Sequence, residues 1–131
     1  ITSPGNSRFI ITAAAYNQNN NNIVDFSGMA FLSGYANVID VAAGGGNALT
    51  IAPNNETAIV SGTSVSAAIV AGACAMLFQW SLLQGTAKNI HSQTLKSYLS
   101  RGVTTRPGDV YPNPQWGYGI LNILTMFSNM P

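Results

Sequence analysis

The chain has 131 residues, 47% of them hydrophobic and only 7% charged, where about a quarter is usual, so it is long enough for one domain with a core but poor in surface charge. Five Lys and Arg against four Asp and Glu leave a net charge of +1 with no basic stripe, which excludes an electrostatic case for nucleic acid or an anionic membrane as partner. One cysteine, Cys74, allows no disulfide framework within the chain and no metal spacing.

The opening ITSPGNS has no basic stretch followed by an apolar run, so it does not read as a secretory leader, and any such segment is expected upstream. Phe9 to Tyr16 reads as a buried strand: Phe9, Ile10 and Ile11 suit a pleated surface, and Ala13 to Ala15 let helices close on both faces. Asn17 to Asn22 is a polar loop, Ile23 to Phe26 a short extended segment, and Asp25 a turn or salt-bridge residue. Val38 to Ala42 predicts a second buried strand, broken by Gly44, Gly45 and Gly46. Leu49 to Ile51 and Thr57 to Val60 predict a hairpin turning through Pro53, Asn54 and Asn55. Asn55, Glu56 and Thr57 form a glycosylation triplet, a motif too short to assign a modification by itself.

That hairpin delivers the chain to SGTSVSAAIVAGACAMLFQWSLL, Ser61 to Leu83, a tight turn running into a long uncharged helix. Gly62 supplies backbone freedom, and Thr63 or Ser64 can cap the orphan N–H groups of the helix. A hydroxyl then stands at the positive end of a helix, where a developing oxyanion is stabilised. Ala67, Ala68, Ala71, Gly72, Ala73 and Ala75 admit close neighbours, and the helix is apolar nearly all round, which predicts an interior or membrane helix. A span is disfavoured because the continuous apolar part, Ala67 to Phe78, falls short of about 18 residues. A phosphate cradle lacks the Lys that would follow Gly62 and Thr63, and a capped core helix without chemistry is the plain alternative to a nucleophile. Cys74, between two alanines, reads as a buried small hydrophobe.

Gln84 and Gly85 end this helix. Ser92 and Gln93 begin an amphipathic one in which Leu95, Tyr98 and Leu99 share a face and which Arg101 and Gly102 close. His91, the one histidine, sits in the polar loop ahead of it. Thr104 to Pro114 is loop, and Ile120 to Met126 predicts a last short helix.

The run GTSVSAAIVAGA, Gly62 to Ala73, resembles the serine motif of the subtilisin-like proteases: GTS, an apolar residue, two small residues, Pro, a variable residue, Val, a small residue and Gly. Ala68 stands where that family has Pro, which returns an N–H to the first helical turn and leaves Ser64 in place. Val65 replaces a frequent Met and removes an oxidisable sulfur. Ser3 to Gly28 is similar to the family segment in which SPG and a strand lead to an FSS-like turn. Ile39 to Ile51 resembles its DVxAPG segment, with Ala43 in place of Pro, and GYGILNI, Gly117 to Ile123, resembles its closing GxGxxN turn and helix. These stretches come in family order, and SGTSVSAAIVAGA, Ser61 to Ala73, together with RPGDVYPNPQWGYG, Arg106 to Gly119, most resembles the clostridial germination-protease branch.

The resemblance implies an α/β fold, a three-layer parallel sheet with helices on both faces. Residues 1–131 would be the C-terminal portion of one catalytic domain whose catalytic Asp, His and oxyanion Asn lie upstream of Ile1. It implies a serine endopeptidase with Ser64 as the nucleophile and Thr63 and Gly62 beside the oxyanion and substrate, inactive as this piece alone. His91 is not the implied base, because the family's His precedes its Ser. The implied partners are a protein or peptide substrate, the remainder of the domain and a pro-peptide. Dimers or aggregates are expected if strands are cut from their sheet. The implied setting is a secreted or spore-associated bacterial protein. Calcium is common in the family, but four scattered carboxylates assign no site. The alternative is a pseudoprotease, a scaffold or signalling module that keeps the fold without the triad.

Overall fold

The computed structural model describes residues 1–30, 38–85 and 90–130. Its central layer pairs strand β1, Ala13–Asn17, in parallel with β2, Val41–Gly46, Ala13 lying beside Val41 and Ala15 beside Ala43. Ile120 adds to this layer by bridging Ala42 in parallel and Thr104 antiparallel. Ala14, Ala15, Val41, Ala42 and Ala43 are all buried, as expected of parallel strands covered on both faces.

Both strands differ from their predicted limits. Phe9 and Ile10 are 60% and 42% exposed, because turns tie Gly5 N–H to the Thr2 carbonyl and Ile10 N–H to that of Ser7, so extended pairing begins only at Ala13. Gly44, Gly45 and Gly46 do not break β2 but form its buried end. A Cβ at Gly44 would lie 2.7 Å from Gln18 side-chain atoms, and one at Gly46 would lie 3.0 Å from Asn17 Cα. The glycines are there for close approach, which extended backbone permits.

Strands β3, Ala48–Ala52, and β4, Glu56–Val60, form the predicted antiparallel hairpin, with Ala48 opposite Val60. Asn54 and Asn55 make the turn in the left-handed region at φ 64° and 59°, where a short polar side chain is tolerated.

Helix α1, Thr63–Gln84, packs on β1 and β2 through one stripe, Ser66, Val70, Ala73, Leu77 and Ser81, and ends at Gly85 with φ 71°. The prediction of an enclosed helix holds for that stripe alone: Phe78, Leu82 and Leu83 are 41%, 68% and 80% exposed in the described residues. By length and composition α1 could cross a membrane, yet Val70, Ala73 and Leu77 are committed to the protein core.

Helices α2, Ser92–Arg101, and α3, Ile123–Ser128, complete that core with Leu95, Leu99 and Met126. Helix α2 begins at Ser92 as predicted, with His91 as its N-cap residue, whose side chain makes no cap bond. Gly102 follows α2 at φ −103°, so it is not a left-handed cap; its hydrogen side faces Met126, whose Cα a methyl would strike. Helix α3 starts later than predicted because Ile120 is spent on the sheet, and Asn122 caps it by accepting the Thr125 N–H at 3.0 Å.

A second cluster gathers Ala14, Ala30, Ile39, Ala42 and Trp116, with Tyr16 stacked 6.0 Å from the indole and the Arg106 guanidinium 5.1 Å from it. Burial pushes the Tyr16 phenol above its ordinary pKa. Asp40 is buried between the strands and α2, accepting the Thr12 N–H at 2.8 Å and the Lys96 ammonium at 3.3 Å. Desolvation raises its carboxyl above the usual range, opposed by the Thr12 amide and by Lys96.

Candidate active site

The end of β2 seats the turn that carries Ser64. The Gly62 N–H donates to the Gly45 carbonyl at 2.7 Å, and the buried Ser66 hydroxyl donates to the Ala43 carbonyl at 3.0 Å. A Cβ on Gly45 would collide with Ser66 Oγ and stand 2.5 Å from Gly62 O, so the turn rests directly on bare backbone.

Ser64 is the second residue of α1 and is exposed. Neither it nor Thr63 caps the helix, contrary to the sequence expectation: both are already helical, and a cap must come from the extended residue before them, which is Gly62. At φ 161° and ψ 152° Gly62 is extended backbone that any residue adopts, and a Cβ there would meet nothing closer than 3.8 Å. The predicted need for glycine's conformational freedom at 62 therefore does not hold. The Val65 and Ser66 N–H groups donate to the Gly62 carbonyl at 3.0 and 3.4 Å, which leaves the Thr63 and Ser64 amides as the unspent donors of the first turn.

Ser64 borders an open groove of about 640 Å³. Its walls are aliphatic, from Val65, Ala68 and Ile69 on α1 and Ala48, Leu49 and Val60 on the hairpin, while Gln18, Thr50 and Ser64 bring the polar groups. No residue lining it titrates, so the described residues place no proton acceptor beside the hydroxyl. Sequence reasoning missed Gln18, which it left inside an Asn-rich loop; nothing local distinguishes it, and its place becomes visible only when β1 pairs with β2. Its side-chain amide donates to the Gly44 carbonyl at 2.7 Å and its N–H to the Gly46 carbonyl at 2.9 Å. Thr63 opens on a different recess of about 400 Å³, shared with the SPG segment, Ala13 and Gly28.

The other singled-out residues lie elsewhere. His91 precedes α2 with its Nε2 3.4 Å from Thr94 Oγ1 and does not line the groove. Asp25 is exposed in a turn, and the triplet at Asn55 is exposed at the hairpin tip. Cys74 is half-buried against the main core rather than enclosed, and desolvation raises its thiol pKa, which leaves little thiolate. Among the described residues no group of three His, Cys, Asp or Glu could hold a metal.

The subtilase family profile matches residues 1–119. No curated protein matches the sequence. The solved CspB protease of Clostridium perfringens superposes with a TM-score of 0.89 at 30% identity, covering 98% of this chain and 29% of its own. The prenylagaramide maturation protease PagA gives 0.74 at 25% identity, covering 98% of this chain and 45% of its own. Fervidolysin from Fervidobacterium pennivorans, a keratinolytic enzyme related to subtilisin, shares the fold with a TM-score of 0.76 at 18% identity over 98% of this chain and 20% of its own. The chain thus spans less than half the length of each of these proteins. A parallel layer under an alanine-rich helix, with a GTS turn seated on the end of a strand, is the subtilisin-like α/β arrangement, and with its family profile and its similarity to the CspB protease the chain belongs to the subtilase family.

Proposed function

We propose that the chain is the C-terminal portion of a subtilase catalytic domain and carries Ser64 as the nucleophile of a serine endopeptidase. The observation that supports this best is the exposed Ser64 hydroxyl on the first turn of α1, engaged in no cap bond, beside unspent amides and at the edge of a groove. A hydroxyl becomes a nucleophile only when a positioned base takes its proton and a third group holds that base. We assign the base and its orienting carboxylate to sequence upstream of Ile1. Ser64 Oγ then attacks the peptide carbonyl as its proton passes to the base, and the carbonyl oxygen gains the negative charge that the Ser64 N–H at the helix's positive end would receive. Collapse expels the amine, which takes the proton, and water releases the acyl group by the same steps reversed. Gly62 and Thr63 flank this chemistry.

A protein or peptide substrate, a pro-peptide and a secreted or spore-associated setting follow from the same family reading, the last from the resemblance of the sequence to the germination-protease branch. Labelling with a fluorophosphonate tests the assignment. The full-length protein should be labelled at Ser64 and the 131-residue chain alone should not. Hydrolysis by the full-length Ser64→Ala protein at the wild-type rate would refute the nucleophile assignment, whereas a full-length protein that neither hydrolyses peptides nor takes the label would leave the non-catalytic scaffold.

A further inference from the structure

We propose that Gln18 sets a substrate preference in the groove beside Ser64, which takes a side chain with an apolar body and a hydroxyl tip, the O–H donating to Gln18 Oε1. This rests on Ser64 being the nucleophile. The walls offer aliphatic carbon from both α1 and the hairpin, so the body of the guest is apolar. Ser64 is reserved for attack, and of the remaining polar side chains Gln18 is the one held in place.

Two hydrogen bonds fix it, from its backbone N–H to the Gly46 carbonyl at 2.9 Å and from Nε2 to the Gly44 carbonyl at 2.7 Å. The fit is mutual, since the Gln18 Cγ and Nε2 lie 2.7 Å from where a Cβ on Gly44 would stand. A glycine in the strand makes the space that the glutamine fills. A carbonyl can only accept, so the amide nitrogen must be the end that meets Gly44, and Oε1 is left as an acceptor on a side chain that borders the groove. An acceptor stripped of water by an all-carbon guest is a loss, and a guest that brings a donor avoids it. Tyrosine supplies an apolar ring and that donor, and phenylalanine supplies the same ring without it.

The test uses the full-length protein and pairs of peptides that differ only by Tyr or Phe, placed in turn at the two positions on each side of the cleaved bond. At one of these positions kcat/KM for Tyr should exceed that for Phe about fivefold, the discrimination that one neutral hydrogen bond supplies. Gln18→Met, similar in length but without acceptor or amide donor, should bring the two peptides to equal kcat/KM. A residue that merely props β2 would slow both alike and leave their ratio unchanged. Absence of a Tyr preference at every position in the wild type overturns the assignment whether or not the variant folds, and so does a preference that survives in Gln18→Met. If Ser64→Ala abolishes cleavage while the ratio is flat, the Gln18 assignment alone fails; if Ser64→Ala cleaves normally, the nucleophile reading fails first.

Discussion

Replacing Gly45 by alanine tests how firmly the serine turn is seated. The new methyl would collide with Ser66 Oγ, stand 2.5 Å from Gly62 O and 3.1 Å from Ala15 Cβ. Gly45 lies in a strand and outside the left-handed region, so the cost is steric rather than torsional. The neighbours differ in how far they can yield. Ser66 Oγ can rotate away, at the loss of its buried hydrogen bond to the Ala43 carbonyl, about 1–2 kcal/mol. Gly62 O is backbone that already accepts the Val65 and Ser66 amides, so it moves only if the turn moves, an overpacking cost of about 1–3 kcal/mol. Together these give about 2–5 kcal/mol of destabilisation, measurable as a lower midpoint in urea unfolding. The two parts separate in a double-mutant cycle. Ser66→Ala alone should cost about 1–2 kcal/mol. Adding Gly45→Ala to it removes the hydroxyl collision but keeps the carbonyl one, so the double variant should remain at least about 1 kcal/mol less stable than Ser66→Ala. Equal stability of the double variant and Ser66→Ala would show that Gly62 O does not lie over Gly45, and the account of how β2 positions Ser64 would be wrong.

Other outcomes follow from the same geometry. Ser64→Ala should change unfolding stability by no more than about 0.5 kcal/mol, because the exposed hydroxyl caps nothing; a larger loss in urea titration would mean it is structural. Asp40 has its folded pKa raised, so its contribution to stability is complete below the unfolded carboxyl value and is lost as pH rises through the folded one. Lys96→Met removes a group that holds that pKa down, so it should destabilise by about 2–3 kcal/mol at pH 7 and distinctly less at about pH 3.5, where Asp40 is protonated; an equal loss at both values would refute the pairing. Asn122→Ala should lower stability by about 1–2 kcal/mol through loss of the α3 cap and of the bond to Thr104 Oγ1, read by thermal unfolding. Cys74 should react with an aromatic disulfide reagent at pH 8 more slowly in the folded chain than in urea.

Much of the site was legible in the sequence because its signals are local. The GTS turn, the uncharged helix behind it and the hairpin ahead of it each depend on residues a few positions apart, so Ser64 could be placed on the first turn of a helix from Thr63 and its neighbours alone. The left-handed stop at Gly85 and the Asn54–Asn55 turn are of the same kind. Motif order was equally available, and it carried the subtilase assignment.

What tertiary structure decided is wherever two distant segments meet at backbone distance. The three glycines of β2 look like a strand breaker in sequence, yet Gln18, Gly62 and Asn17 each need one of them bare. Thr63 and Ser64 look like caps, but residues already inside a helix cannot cap it, and where the helix starts is set by where Gly45 holds Gly62. Gln18 has no local mark at all; its place at the groove exists only because β1 lies beside β2. Sequence periodicity and capping chemistry act over a single turn or strand, whereas a missing Cβ acquires meaning only from the atom that occupies its space.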